Sequence, residues 1–395
     1  MELYLHIPFC VRKCKYCTFV SFSASEAEKD AYVGALLREA EIRREEISEP
    51  IRTVYLGGGT PSLLSPEQLR YLIAGIRSLF PFAGEVEFSV EANPGTLTDC
   101  FLQTAVSAGV NRLSLGMQAF QPGLLKFLGR IHTFEEVQKS VEAARSAGLC
   151  NLNLDLIFGI PGQSIRDWKE TLDAALSLSP EHISAYGLIP EEGTPLFRML
   201  EKKEAFLPDP DLEREMYDLA IRKLGDAGLK QYEISNFARD GYECRHNIGY
   251  WTQVPYVGLG LSAASMLITG HDAEGLSCLR KTNPSDPAVY REMIRSGDLS
   301  PAQEEKILPN ESRFETMMLG LRMNRGVSES AFEELHGMPI QPDWTKKLEN
   351  FQKNGLMKHE KGAWFLTSRG MDIQNSILLE FMQDSDSIPT DIKGS

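Results

Sequence analysis

LYLHIPFCVRKCKYC, residues 3–17, carries the strongest signal in the chain. An apolar run over 3–7 leads straight into Cys10, Cys14 and Cys17, a C-x3-C-x2-C triad. Thiolates are soft ligands suited to iron–sulfur clusters or zinc, and three so close in sequence can wrap one centre. A four-iron cluster held by three thiolates keeps one iron open to a further ligand. The plainer alternative is a structural zinc knot, with His6 or a distant cysteine as fourth ligand. Spacing alone does not choose between them.

Beyond this stretch, short β-rich runs recur at 3–7, 52–56, 85–91, 111–115, 151–158 and 182–188. Amphipathic segments lie between them at 26–47, 66–80, 98–108, 122–147 and 164–178. Ser65-Pro66-Glu67-Gln68 shows how such a helix begins: Ser65 caps, Pro66 takes the first turn and Gln68 reaches back. Strand alternating with helix predicts a parallel sheet with right-handed crossovers. Six such units are fewer than the eight of a closed barrel, so the expected class is α/β, an open partial (βα)6 TIM-like barrel. A doubly wound sheet is the rival. It is weakened because the Gly-rich turn is not G-x-G-x-x-G and no Walker motif occurs.

Composition sets limits on partners and compartment. A chain of 395 residues leaves room for two or three units, and 42% hydrophobic residues is ordinary for a globular protein. The net charge of −14 disfavours a sequence-independent grip on nucleic acid, which needs clustered Lys and Arg. No apolar run is long enough for a transmembrane segment, and residues 1–9 do not make a signal peptide. Seven cysteines, an odd number with a close triad, point to a reducing compartment, by default the cytoplasm. Cys100, Cys150 and Cys278 are expected as buried small apolar residues.

Polar and glycine-rich features gather where the strands end. Gly57-Gly58-Gly59-Thr60-Pro61 closes the second strand, Glu91 the third, and Gln118 follows the fourth. Asp155 lies in the fifth, with Gly159-Ile160-Pro161-Gly162 after it. In a parallel barrel these C-terminal ends open onto one face, where ligands bind, and the cysteines open there too. Each feature alone has an ordinary explanation, a tight turn or a loop-bracing carboxylate. Their convergence on the cysteines favours a site.

The strings resemble radical S-adenosylmethionine (SAM) proteins related to oxygen-independent coproporphyrinogen III oxidase. They are Y-L-H-I-P-F-C-x3-C-x-Y-C at 4–17, G-G-G-T-P at 57–61, E-A-N-P at 91–94 and R-L-S-L-G-M-Q at 112–118, with G-R-I-H at 129–132 and N-L-D at 153–155. The resemblance implies that Cys10, Cys14 and Cys17 hold a [4Fe-4S] cluster whose open iron takes the amino and carboxylate groups of SAM. It also implies that Tyr4, Gly58, Gly59, Thr60, Glu91, Gln118, Arg130 and Asp155 line the nucleotide site, with Tyr16 packing on the adenine ring. Glycine backbone permits close approach, and carboxylates accept hydroxyl or ammonium hydrogens. Two departures separate the chain from the oxidase pattern. Phe19 stands where a fourth cysteine belongs, and the first strand starts at residue 3, without the long preceding segment that helps hold a second SAM. Both leave a double oxidative decarboxylation poorly supported.

A second motif, H-N-x-x-Y-W, places His246, Asn247, Tyr250 and Trp251 together. Imidazole is a standard axial ligand of heme iron, and the two aromatics can stack against or edge a porphyrin. On chemistry alone, a buried His–Asn pair beside core aromatics competes with that reading. Within the resembling group the string marks the heme chaperones, which implies a heme site at these four residues. Cys244 offers a sulfur contact nearby, although this is not the C-x-x-C-H attachment motif. Heme propionates call for cations, and Arg245 and the Arg280-Lys281 pair are candidates.

The expected organisation is a barrel over 1–230, a linking region with the H-N-x-x-Y-W motif over 231–309, a winged-helix-like unit over 310–382 and a disordered tail over 383–395. Helices are expected at 311–323, 329–336, 343–354 and 367–381, with a hairpin over 355–366 around Lys361-Gly362. Nine basic against ten acidic residues across 310–380 leave no electrostatic footprint for DNA, so docking or lid action is favoured. The expected function is a cytoplasmic heme chaperone that passes heme to an apo-hemoprotein. The alternative is a radical SAM enzyme acting on a tetrapyrrole, and a DNA-binding regulator comes last.

Overall fold

The computed structural model describes residues 1–272 and 275–382, so the tail expected at 383–395 lies outside the described residues. Six strands form the heart of the fold: β1 (Glu2–Ile7), β2 (Ile51–Gly58), β3 (Phe82–Ala92), β4 (Arg112–Gln118), β5 (Asn151–Phe158) and β6 (His182–Gly187). Each pairs in parallel with the next, giving the open partial (βα)6 barrel. Their residues alternate. Leu113, Leu115 and Met117 of β4 and Leu152, Leu154 and Leu156 of β5 are buried in the core beneath the helices. Arg112, Ser114, Gly116, Asn153 and Asp155 take the opposite face, because successive side chains point to opposite sides of a strand. A polar lumen is unlike the packed interior of a closed barrel and makes a chamber.

The outer helices start where their caps say. Ser25, Ser65, Thr133 and Ser164 each form a reciprocal box with the third helical residue. One expectation is corrected: the stretch 122–147 is two helices, Pro122–Leu128 and Phe134–Ser146. Gly129, at φ 84°, ends the first in the left-handed conformation. The chain then turns, and Arg130 faces the chamber.

The stretch 231–309, read from the sequence as a link, is built into the same sheet. β7 (Lys230–Gln231) and β8 (Asn236–Ala238) run antiparallel on the β6 side. β9 (Tyr256–Leu259) pairs in parallel with β1, and β10 (Ala264–Asp272), β11 (Gly275–Thr282) and β12 (Gln303–Ile307) continue antiparallel beyond it. An open barrel has two edges of unpaired backbone groups, and these strands cover both.

The C-terminal unit has its own core of Phe332, Trp344, Leu348, Trp364 and Phe381. Helices pack around a small sheet of β13 (Val327–Ser328), β14 (Met357–Glu360) and β15 (Ala363–Leu366), in the order β13-β15-β14. Lys361 (φ 53°) and Gly362 (φ 73°) make the turn of the expected hairpin, both left-handed as a two-residue loop requires. Thr316 donates to Gln253 Oε1 at 2.6 Å and Asn324 N to Tyr232 O at 3.0 Å, tying this unit to the barrel. No helix among the described residues is long and apolar enough to cross a membrane.

Candidate functional site

The cysteine loop leaves the C-terminal end of β1 and is clamped from both sides. Cys10 N donates to Phe22 O (3.0 Å), Lys15 N to Leu128 O (3.0 Å), and Leu196 N to Lys15 O (2.9 Å). The three thiols are free and half-buried, and they line one cavity of about 460 Å³. Gly59 closes against the loop through its N–H to Ile7 O (2.9 Å), and Thr60 N–H donates to Phe9 O (2.7 Å). A Cβ on Gly59 would stand 2.7 Å from Ile7 O and 2.8 Å from Phe9 O, so only glycine permits this pairing. A Cβ on Gly58, at φ 101°, would collide with the His6 ring.

Opposite the thiols, the lumen-facing residues hold one another. Glu91 accepts from Tyr55 OH (2.9 Å) and Gly58 N (3.0 Å), yet burial, with Asp155 adding to it, pushes its carboxyl up to about 7. Asp155 accepts from Ser114 Oγ (2.8 Å) and Asn153 Nδ2 (2.9 Å). Arg130 donates through Nη2 to Gly116 O (2.7 Å), and its Nη1 lies 3.5 Å from Cys14 Sγ. Its Nε is buried without a partner. Gln118 ends β4 at φ 63°, a costly conformation for a non-glycine residue, at an irregularity in the β4–β5 register. Free thiols on one wall, close glycine backbone, an orphaned arginine nitrogen and two positioned carboxylates fit a cluster carrying a nucleotide ligand. His6, the zinc-knot candidate, has its ring engaged by Tyr4 OH (3.1 Å) and Val20 O (2.9 Å).

The H-N-x-x-Y-W stretch forms a short helix, Arg245–Trp251, set against the lumen-facing side chains of β2 and β3. Cys244 at its cap position makes no side-chain capping bond. Instead Glu87 of β3 accepts from Arg245 N (2.9 Å) and His246 N (3.0 Å). His246 is buried, with Nδ1 2.7 Å from Thr53 Oγ1 and Nε2 2.9 Å from Tyr250 OH. Its ring stacks on Tyr55 at 5.2 Å between centroids. Burial pushes its pKa down to about 3, with the Arg112 charge adding to the shift. Glu2, 3.7 Å away, is pushed up to about 9 by burial and the neighbouring Glu87. The pair is therefore neutral at pH 7. The expected axial ligand has no free ring nitrogen in this arrangement. The Cys244 thiol is pushed up to about 12 by burial and stays protonated, so it offers no thiolate.

Asn247, Tyr250 and Trp251 line a second cavity of about 740 Å³ with Phe158, Tyr217 and Arg322. Tyr186 and Ile189 line both this cavity and the cysteine cavity, so the two adjoin. A third, of about 500 Å³, lies on the other side of Tyr250 and Trp251 and reaches Phe19, which is 60% exposed at its rim.

Of the residues expected at the nucleotide site, Tyr16, Gly58, Gly59, Glu91, Gln118, Arg130 and Asp155 share the cysteine cavity. Tyr4 does not: it lines the third cavity. Thr60 is buried behind the loop, its hydroxyl 3.5 Å from Cys10 Sγ and accepting from Asn93 at 2.7 Å. The proposed propionate partners are otherwise engaged. Arg245 reaches Glu85 O, Arg280 pairs with Glu305 and Glu315, and Lys281 pairs with Glu46. Cys100 and Cys150 are exposed rather than buried, since one starts an outer helix and the other precedes β5; Cys278 is buried. Tyr55, Asn93, Ser114, Asn153 and Arg322 are not among the expected site residues, although Asn93, Ser114 and Asn153 lie within the resembling strings. The polar–apolar alternation along 112–118 and 151–156 was the available signal for the two lumen residues Ser114 and Asn153.

Comparison with known proteins gives a consistent picture. The Radical SAM superfamily matches residues 4–175 and the HemN C-terminal domain matches 307–373. The chain is 36% identical to the protein named "Heme chaperone HemW" of Bacillus subtilis (strain 168), over 96% of this chain and 98% of that one. It is 33% identical to its namesake in Escherichia coli (strain K12), over 97% and 98%. In fold it is similar to the coproporphyrinogen III oxidase HemN of Escherichia coli, with a TM-score of 0.79 at 22% identity, covering 96% of this chain and 89% of that one.

Proposed function

Since the chain belongs to the HemW family, heme chaperones on a radical SAM scaffold, we propose that it binds heme and passes it to an apo-hemoprotein in the reducing cytoplasm. The observation that carries this reading is the position of Tyr250 and Trp251. They wall a cavity of about 740 Å³ that adjoins the cysteine cavity, a size within the range of small-molecule sites.

A [4Fe-4S] cluster on Cys10, Cys14 and Cys17, with SAM, would supply one-electron chemistry when bound. Around it the chain's own residues bind and orient. The Gly58–Gly59 backbone takes the ligand's close approach, and Glu91 and Asp155 accept hydrogens from its ammonium and hydroxyl groups. Tyr16 covers it with an apolar ring. In the adjoining cavity Tyr250 and Trp251 offer aromatic faces to the porphyrin, and Asn247 a polar edge. His246 positions Tyr250 through their hydrogen bond.

The test uses anaerobically reconstituted protein. Hemin uptake is followed by its Soret band, then transfer to an apo-hemoprotein after mixing. A parallel incubation with SAM, reductant and coproporphyrinogen III is resolved by chromatography. Uptake and delivery without stoichiometric protoporphyrinogen are expected. Protoporphyrinogen formation with no heme delivery would replace the chaperone reading by the enzyme.

A further inference from the structure

The walls of the 740 Å³ cavity are mainly aromatic and aliphatic, with two arginines among them. Arg214 is spoken for by Asp218 and Asp372. The Arg322 side chain makes no hydrogen bond or ion pair among the described residues. Its guanidinium lies 4.8 Å from the Trp251 ring centroid, stacked on the indole. The Arg322 Nε and the Trp251 Nε1 are both buried without an acceptor. Glu233, also on the wall, accepts from Ser235 N at 3.0 Å; burial raises its carboxyl and the Arg322 charge partly offsets that, but no ion pair joins the two. Two enclosed donors side by side, one of them cationic, are costly to leave unmatched in a native structure.

We propose that Arg322, backed by the indole N–H of Trp251, is the carboxylate anchor of this cavity and takes a propionate of a flat, apolar ligand. The proposal rests on the heme reading and deepens it by naming the contact that the expected cations do not make. A guanidinium meets a carboxylate with two parallel N–H donors, and its planar face can stay on the indole while it does so. Arg322 belongs to the C-terminal unit, whereas Phe158 and Tyr186 belong to the barrel. A ligand anchored on Arg322 therefore touches both units. Its neighbour Met323 already bridges to Glu233 of the barrel side.

The experiment titrates the full chain with hemin and with hemin dimethyl ester, whose carboxylates are blocked, following the Soret band. Wild type is expected to bind hemin about tenfold or more tightly than the ester, the scale of a hydrogen bond to a charged group. Arg322→Leu should lose that preference and bind both as wild type binds the ester. Arg322→Lys should keep part of it, and Trp251→Phe, which retains the stack, should lose less than Arg322→Leu. Melting temperature and cluster iron confirm that each variant is folded. Wild type binding both forms alike, or Arg322→Leu weakening both alike, overturns the anchor and leaves heme binding standing. Wild type binding neither overturns the anchor and the heme reading together.

Discussion

Replacing His246 by alanine separates a bracing role from an iron-ligating one. The ring makes two enclosed hydrogen bonds, to Thr53 Oγ1 and Tyr250 OH, and one stack on Tyr55. Removing it leaves both hydroxyls without their partner, at about 1–3 kcal/mol each. The lost stack adds about 0.5–1.5 kcal/mol. The sum is roughly 2.5–7.5 kcal/mol, and at a few degrees per kcal/mol the melting temperature should fall by on the order of 10 °C. Heme affinity should fall with it, because Tyr250 is no longer held in the cavity wall. His246→Gln, which can still reach Tyr250, should recover much of both. The assay pairs thermal unfolding with hemin titration on the same preparations, with free imidazole added to a second set. A His246→Ala protein of wild-type melting temperature, whose Soret band is lost and then restored by imidazole, would refute the bracing argument.

Three further outcomes are expected. Gly59→Ala forces a Cβ against the backbone of Ile7 and Phe9 and should cost about 1–3 kcal/mol and much of the bound iron, whereas Gly34→Ala, with nothing within 4 Å, should be neutral or stabilising; equal melting temperatures and iron contents would discard the close-approach argument. Glu2 holds its proton up to about 9 when folded but loses it near the ordinary carboxyl value of 4.5 when unfolded, so stability should fall as pH rises through that window, by at most about 1.4 kcal/mol per pH unit. Glu2→Gln removes this slope, and its advantage over wild type in melting temperature should widen from pH 5.5 to 8.5; a constant gap contradicts the assigned shift. Alanine at Cys10, Cys14 or Cys17 should abolish the broad iron–sulfur absorption, while alanine at the exposed Cys100 or Cys150 should keep it and remove a readily alkylated thiol; iron loss at either of those two would reassign the ligands.

Local signals in the chain were read correctly where the physics is local. The β–α alternation, the Ser65 capping box and the Lys361-Gly362 turn each depend on a few adjacent residues, and each is present. The cysteine spacing and the strand-end glycines are also short-range, which is why the cysteine cavity gathers most of the residues expected there. Gly129 shows the limit even at short range. The amphipathic pattern runs through it, but its left-handed turn splits the helix and delivers Arg130 to the chamber.

What lay beyond sequence is set by contacts between distant segments. Thr53 and His246 are 193 residues apart, and only the packing of the motif helix against β2 brings them within a hydrogen bond. A histidine beside two aromatics has the same pattern whether its nitrogens are free or spent. The difference lies in Thr53 and in the turn of helix that returns Tyr250 to it. The resemblance puts Tyr4 at the nucleotide site, but the third cavity, closed by β10 and the C-terminal unit, determines what it faces. Arg322 sits in a different unit from every residue of the two motifs, and its stacking on Trp251 exists only once the units dock. Period and spacing are written along the chain; which polar atoms are left without partners is settled by register and docking across it.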